Sequence, residues 1–233
     1  MTPSNLPFLY WGFIVLSAVT LSLFYWLTGK NKLVLLAGVG WLALTAVLAR
    51  QEVFLVTDVI PPRLAFLIVP MLVGGLLFGF SRWTAKFRAP DMLEGWHYFH
   101  GIRIVVETVF LHGLWQAGFL AREVTFSGSN FDIIPGVLGL LVGFLVFRKR
   151  ILSHNWAIAF NVIGILVLAN TVVQAVLSAP SPFQQFSFEQ PTIAVLYFPW
   201  VWLPAFVAPL MFWAHFVSLK LLLSPKNQPS LPD

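Results

Sequence analysis

Seven long apolar runs joined by short polar connections constrain the fold of this chain more than any other feature. They cover roughly residues 9–28, 33–49, 64–80, 98–121, 133–147, 156–177 and 196–223. A helix that crosses a bilayer needs about 20 mostly apolar residues, and most of the runs qualify. The fifth is short: at about 1.5 Å per residue it reaches roughly 22 Å, so it must thin the bilayer or be shielded by neighbours. The seventh carries Pro199, Pro204 and Pro209 and is expected to enter as an extended or tilted segment before becoming regular helix.

Water is a poor solvent for such a chain. It is 58% hydrophobic and 10% charged, with a mean hydropathy of +0.83, whereas an ordinary soluble domain is about 25% charged. Enclosing this much apolar surface would take a core larger than 233 residues can build. The expected fold is therefore all-α, a seven-transmembrane-helix bundle forming one domain over 1–223. A disordered cytoplasmic tail is expected over 224–233, where Pro225, Pro229 and Pro232 interrupt a polar stretch. No Lys or Arg precedes the first run, so that run reads as a retained helix rather than a cleaved signal peptide.

Loop charge sets the orientation. Lys30 and Lys32, then Arg82, Lys86 and Arg88, then Arg148, Lys149 and Arg150 occupy the first, third and fifth connections, and Lys220 and Lys226 follow the last run. The opposite side holds only Arg50, Arg63 and Arg122, alongside Glu52, Asp58, Glu123, Asp132 and Glu189. The positive-inside rule then puts the N-terminus outside and the C-terminus in the cytoplasm. The net charge of +5 is spread in twos and threes over these loops, which excludes a nucleic-acid stripe. The absence of cysteine excludes disulfides, iron–sulfur ligation, thiolate metal sites and c-type haem.

The fourth run carries the charges that need explaining. His100, Arg103 and Glu107 are three and four residues apart and share one helix face. Ionised groups at bilayer depth are a functional-site hypothesis by default, and Arg103 and Glu107 are expected to compensate each other as a pair. Depth matching places Asn161 of the sixth run and His215 of the seventh in the same inner layer. These five residues form the candidate ligand-binding set. A secondary polar layer is expected from His112 and Gln116 with Asn170 and Gln174.

A permanently cationic Arg103 between His100 and Glu107 disfavours a divalent metal. No cofactor is expected, with b-type haem on His100 and His215 left as an alternative. His97 and His154 read as interfacial residues. Lys220 lies too near the end of its run, with no carboxylate on the same helix, for a retinal Schiff base.

Helix ends and faces follow from local punctuation. Asp132 is placed to cap the fifth helix, with Pro135 in its first turn. Gly136, Gly139 and Gly143 make a small-residue stripe, repeated by Gly75 and Gly79, which suits close internal packing or a homo-oligomer contact. The connections 126–132 and 181–191 mix aromatics with amides and suit an interfacial belt or a lid.

Four stretches carry a resemblance: Pro61-Pro62-Arg63; His100 with Arg103 and Glu107; Phe126 through Gly128, Asn130 and Asp132 to Ile133; and Ser181-Pro182-Phe183-Gln184-Gln185 through Gln190-Pro191 to Tyr197-Phe198-Pro199. In these the chain resembles a group of multi-pass bacterial inner-membrane proteins of unknown function. The resemblance implies a bacterial plasma-membrane location and supplies no substrate, cofactor or catalytic residue. The function expected from the residues themselves is binding or transport of a small or lipidic ligand, an anionic one included, between the fourth, sixth and seventh helices. A membrane-embedded enzyme or haem protein, and a ligand-free assembly subunit, are the alternatives.

Overall fold

The computed structural model describes residues 2–80 and 92–224, and among these the regular structure is entirely helical. The basic residues Arg82, Lys86, Arg88 and Lys226, and the proline-rich tail 225–233, lie outside the described residues.

Helix α1 (Pro7–Leu27) opens on a proline, whose missing N–H costs nothing in a first turn. Gly29 and Lys30 take positive φ angles of 70° and 58° and turn the chain back. Asn31 then caps α2 (Lys32–Arg50), its side chain accepting from the Leu33 amide at 2.9 Å. Helix α3 (Ala65–Phe80) contains Pro70.

The fourth apolar run begins earlier than its hydropathy suggests. Helix α4 (Met92–Phe99) is amphipathic and buries Leu93, Trp96, His97 and Phe99. The backbone next tightens: the amides of His100, Gly101, Arg103 and Ile104 each donate to the carbonyl three residues back. After α5 (Ile102–Val105) it widens into a π-helical turn, Val106–Leu111, before α6 (His112–Gln116). Such a widened turn inside a helix commonly marks a functional site.

Helix α7 (Ile133–Val142) continues through a second π turn, Gly143–Arg148. Helix α8 (His154–Ser178) is the longest among the described residues. A third π turn, Leu203–Val207, leads into α9 (Ala208–Leu222), so the proline-rich start of the seventh run is wide helix preceded by turns.

Among the described residues, four helical stretches are long and apolar enough to cross a membrane: Pro7–Leu27, Lys32–Arg50, His154–Ser178 and Leu203–Leu222. The apolar helices Ala65–Leu77 and Ile133–Arg148 are shorter. The distribution of side chains is that of a protein in lipid. Trp11, Val15, Leu33, Leu36, Phe66 and Leu166 are exposed at the periphery, while the histidines at 97, 100 and 215, Arg103 and Glu107 are buried inside. So many exposed large apolar side chains suit a bilayer and would promote aggregation in water.

Helix α9 is the axis of the bundle, packing against α3, α4 and α8. The glycine stripe is used inside the chain. Gly139 lies so close to α4 that a Cβ there would meet the His97 carbonyl oxygen at 2.7 Å, and Gly136 and Gly143 sit against Arg103 and Tyr98. Gly75 faces the indole of Trp213, while the surroundings of Gly79 fall outside the described residues. The stripe at 136–143 thus faces the chain's own α4 and α5.

Candidate ligand site

The inner-layer residues from three helices meet in one buried network. The Arg103 guanidinium contacts His215 Nε2 at 3.2 Å and the Asp132 carboxylate at 3.4 Å. His215 Nδ1 is 2.8 Å from Asn161 Oδ1, and Asn161 Nδ2 is 3.1 Å from His97 Nε2. His97 Nδ1 in turn lies 2.7 Å from the Leu93 carbonyl oxygen.

The chemistry of the two ends assigns every proton between them. A carbonyl only accepts, so His97 carries its hydrogen on Nδ1 and accepts at Nε2. Asn161 Nδ2 also donates to the Ala157 carbonyl at 2.7 Å, which fixes the amide orientation. Its oxygen therefore accepts from His215 Nδ1–H, and His215 Nε2 accepts from Arg103. Both imidazoles are neutral in this arrangement, and every donor points away from the guanidinium.

Gly164, one turn after Asn161 on α8, makes room for the His215 ring: a Cβ at Gly164 would overlap it. Gly164→Ala should lower thermal stability in detergent by an amount on the order of 1–3 kcal/mol, the usual cost of overpacking. Gly40→Ala, on an open face of α2 with nothing within 4 Å, should be neutral or stabilising. Equal effects would mean that His215 is not confined by α8.

His100 completes the face by stacking on His215, with ring centroids 3.9 Å apart and planes 20° from parallel. The ring of Phe160 lies 5.4 Å from each of His97, His100 and His215. Neither ring nitrogen of His100 has a hydrogen-bond partner. This donor set does not fit bis-histidine haem: the two rings face each other too closely to admit a porphyrin plane, and both nitrogens of His215 are engaged.

Glu107 does not pair with Arg103. Its Oε2 accepts from Asn130 Nδ2 at 2.8 Å. Asn130 has all four of its hydrogen-bonding capacities used: it donates also to the Val124 carbonyl, and accepts from Thr171 Oγ1 and the Asp132 amide. Asp132 stands at the start of α7, but its side chain makes no capping hydrogen bond and turns to Arg103 instead. A buried guanidinium is a stronger attractor than a helix amide, and that competition corrects both the cap and the expected pair.

The secondary polar layer does not assemble. His112 stacks on Phe126 at 4.9 Å, Asn170 donates to the Ser129 carbonyl at 2.8 Å, Gln116 is exposed and Gln174 half-buried. Helix α6 ends at Gln116, where the chain turns into the loop. His154 is exposed at the start of α8.

The connection at 181–191 is tied to the end of α6 and the segment after it. Gln190 Nε2 donates to the carbonyls of Trp115 and Leu120 at 2.8 Å, and Ser187 donates to Glu123 at 2.6 Å.

Beside the network lies an apolar cavity of about 110 Å³. Ile68 and Leu72 of α3 and Val172 and Ala175 of α8 form its flanks, and Leu203 through Phe212 its back. Arg103, Glu107 and Asp132 are the charged side chains on its wall. Several flanking residues of α3 and α8 are only half-buried, so the cavity opens sideways between those helices.

An all-helical membrane-type bundle with a charged cluster at the end of a lateral apolar groove is the class that the fold and site define. The chain belongs to the family described as a domain of unknown function (DUF8737), whose model matches residues 59–223. That match includes α3 through α9 and every residue of the cavity wall named above. No curated protein and no solved structure matches the chain.

Proposed function

We propose that this is a multi-pass protein of the bacterial inner membrane that binds, and in transport would move, an amphipathic ligand. Its apolar part lies in the groove between α3 and α8, and its polar head at Arg103, Glu107 and Asp132. The carrying observation is the groove itself: an apolar space open on its lipid side that ends on three buried charged side chains. Ligand sites are characteristically apolar pockets with a few convergent polar groups, and a protein has little reason to keep ionisable groups at bilayer depth without a use for them.

Seven crossings, with the N-terminus outside, accompany this reading, since the loop charges alternate across the chain. Reporter fusions after Asn31 and Lys149 should report cytoplasm, and fusions after Asp58, Gly128 and Gln185 the exterior. One clear inversion would change the number of crossings.

Binding is tested by thermal unfolding in neutral detergent. Twelve-carbon amphiphiles should raise the melting temperature in proportion to the logarithm of their concentration. Ala175→Trp, which fills the groove, should remove the response. No stabilisation by any such amphiphile, or an unchanged response in the filled variant, would overturn the proposal.

A further inference from the structure

The charge count around the groove specifies the head group. Arg103, Glu107 and Asp132 sum to one formal negative charge, and the hydrogen-bond chain leaves His215 and His97 neutral. The polar groups that hold Glu107 add nothing to offset it: Asn130 of the loop before α7 donates to it, Thr171 of α8 donates to Asn130, and both are uncharged. The two terminal nitrogens of the single guanidinium contact Asp132 and His215, and its Nε has no partner among the described residues. Glu107 is thus left without an opposite charge of its own.

One of its oxygens is also left without a hydrogen bond. Oε2 is held by Asn130, whereas Oε1 has no partner among the described residues, although the side chain is about 1% exposed and lines the cavity. A carboxyl group on the wall of an apolar groove, with one oxygen unbonded and no cation paired to it, is complementary to a cationic donor. It is the wrong partner for a carboxylate or phosphate, which would face two carboxylates against one arginine.

We propose that the groove selects amphiphiles with a protonated amine head, the ammonium docking on Glu107 Oε1 and the alkyl chain running out between α3 and α8. The inference rests on the binding reading above and replaces the anionic ligand expected from the sequence with a cationic one. An ammonium supplies at once the missing positive charge and the missing donor, and charge-assisted hydrogen bonds are the strong ones. An alkylamine titrates near the lysine value of about 10.4, so it arrives charged at neutral pH.

The experiment compares dodecylammonium, dodecanol and dodecanoate, which share one chain and differ only in the head, on the full-length protein in neutral detergent. Thermal stabilisation and competition against dodecanol give relative affinities. Dodecylammonium should bind about tenfold or more tightly than dodecanol, as expected for a hydrogen bond to a charged group, with dodecanoate weakest. Glu107→Gln should bring the ammonium down to the level of the alcohol. Equal binding of all three would overturn the head-group assignment while leaving the groove as a tail site. A preference for dodecanoate would overturn it in favour of an arginine-dominated anion site, and saturable stabilisation by sodium ions alone would make Glu107 an inorganic-cation site. The wild-type comparison decides the matter even if the Glu107→Gln protein fails to fold.

Discussion

Arg103→Met and Asp132→Asn are each expected to cost on the order of 3–5 kcal/mol of stability, and the double variant far less than their sum. Removing either partner leaves the other charge buried without compensation, and both side chains are sealed from solvent. Removing both deletes the problem along with the interaction. The same cycle run on Arg103→Met and Glu107→Gln should be much closer to additive, because Glu107 is held by Asn130 rather than by the guanidinium. Thermal or denaturant unfolding in detergent measures both cycles. Strong coupling between Arg103 and Glu107, with little between Arg103 and Asp132, would assign the ion pair to one helix and disconnect α7 from the site.

Asn161→Leu is expected to be nearly as damaging. Its amide is the only bridge between His215 and His97 among the described residues. The change leaves His215 Nδ1–H without an acceptor and His97 Nε2 without a donor, at about 1–3 kcal/mol for each orphaned group. Asn170, at the half-buried edge of the same helix, makes a single bond to the Ser129 carbonyl, and Asn170→Ala should cost about 1 kcal/mol. Comparable losses at 161 and 170 would mean that the internal chain of hydrogen bonds carries no special weight.

How much of this was legible in the sequence differs by feature. The apolar runs mark the helices because a bilayer demands length and hydropathy, and α1, α2 and α8 begin and end within about two residues of their runs. The run at 98–121 misled at its start. Helix α4 buries Trp96, His97 and Phe99 beside Leu93, so its buried side is mostly aromatic and polar, and hydropathy undervalues it.

His97 itself was within reach, since positions 97, 100, 103 and 107 share a face at spacings of three, three and four. Asn130 and Asp132 were harder. An asparagine two residues before an aspartate reads as a local turn, which it is, as the Asp132 amide bonds Asn130 Oδ1. Nothing local says that the same two side chains reach Glu107 and Arg103 on another helix. That partnership depends on the tightened and then widened backbone of 100–111, a departure from regular helix that no residue pattern announces. Gly164 carried a signal too, a glycine one turn from Asn161, but its meaning depends on knowing which ring it faces.

Native mass spectrometry of the protein extracted from its own membrane in mild neutral detergent tests the central claim, an amphiphile seated in the groove at Glu107, most directly. The wild-type protein should carry a retained small amphiphile, and the Ala175→Trp protein, folded to the same melting temperature without added ligand, should carry none. Adducts equally abundant in both, or absent from a wild-type protein that also ignores added amphiphiles, would contradict the claim and leave the charged cluster as internal cross-linking of the bundle.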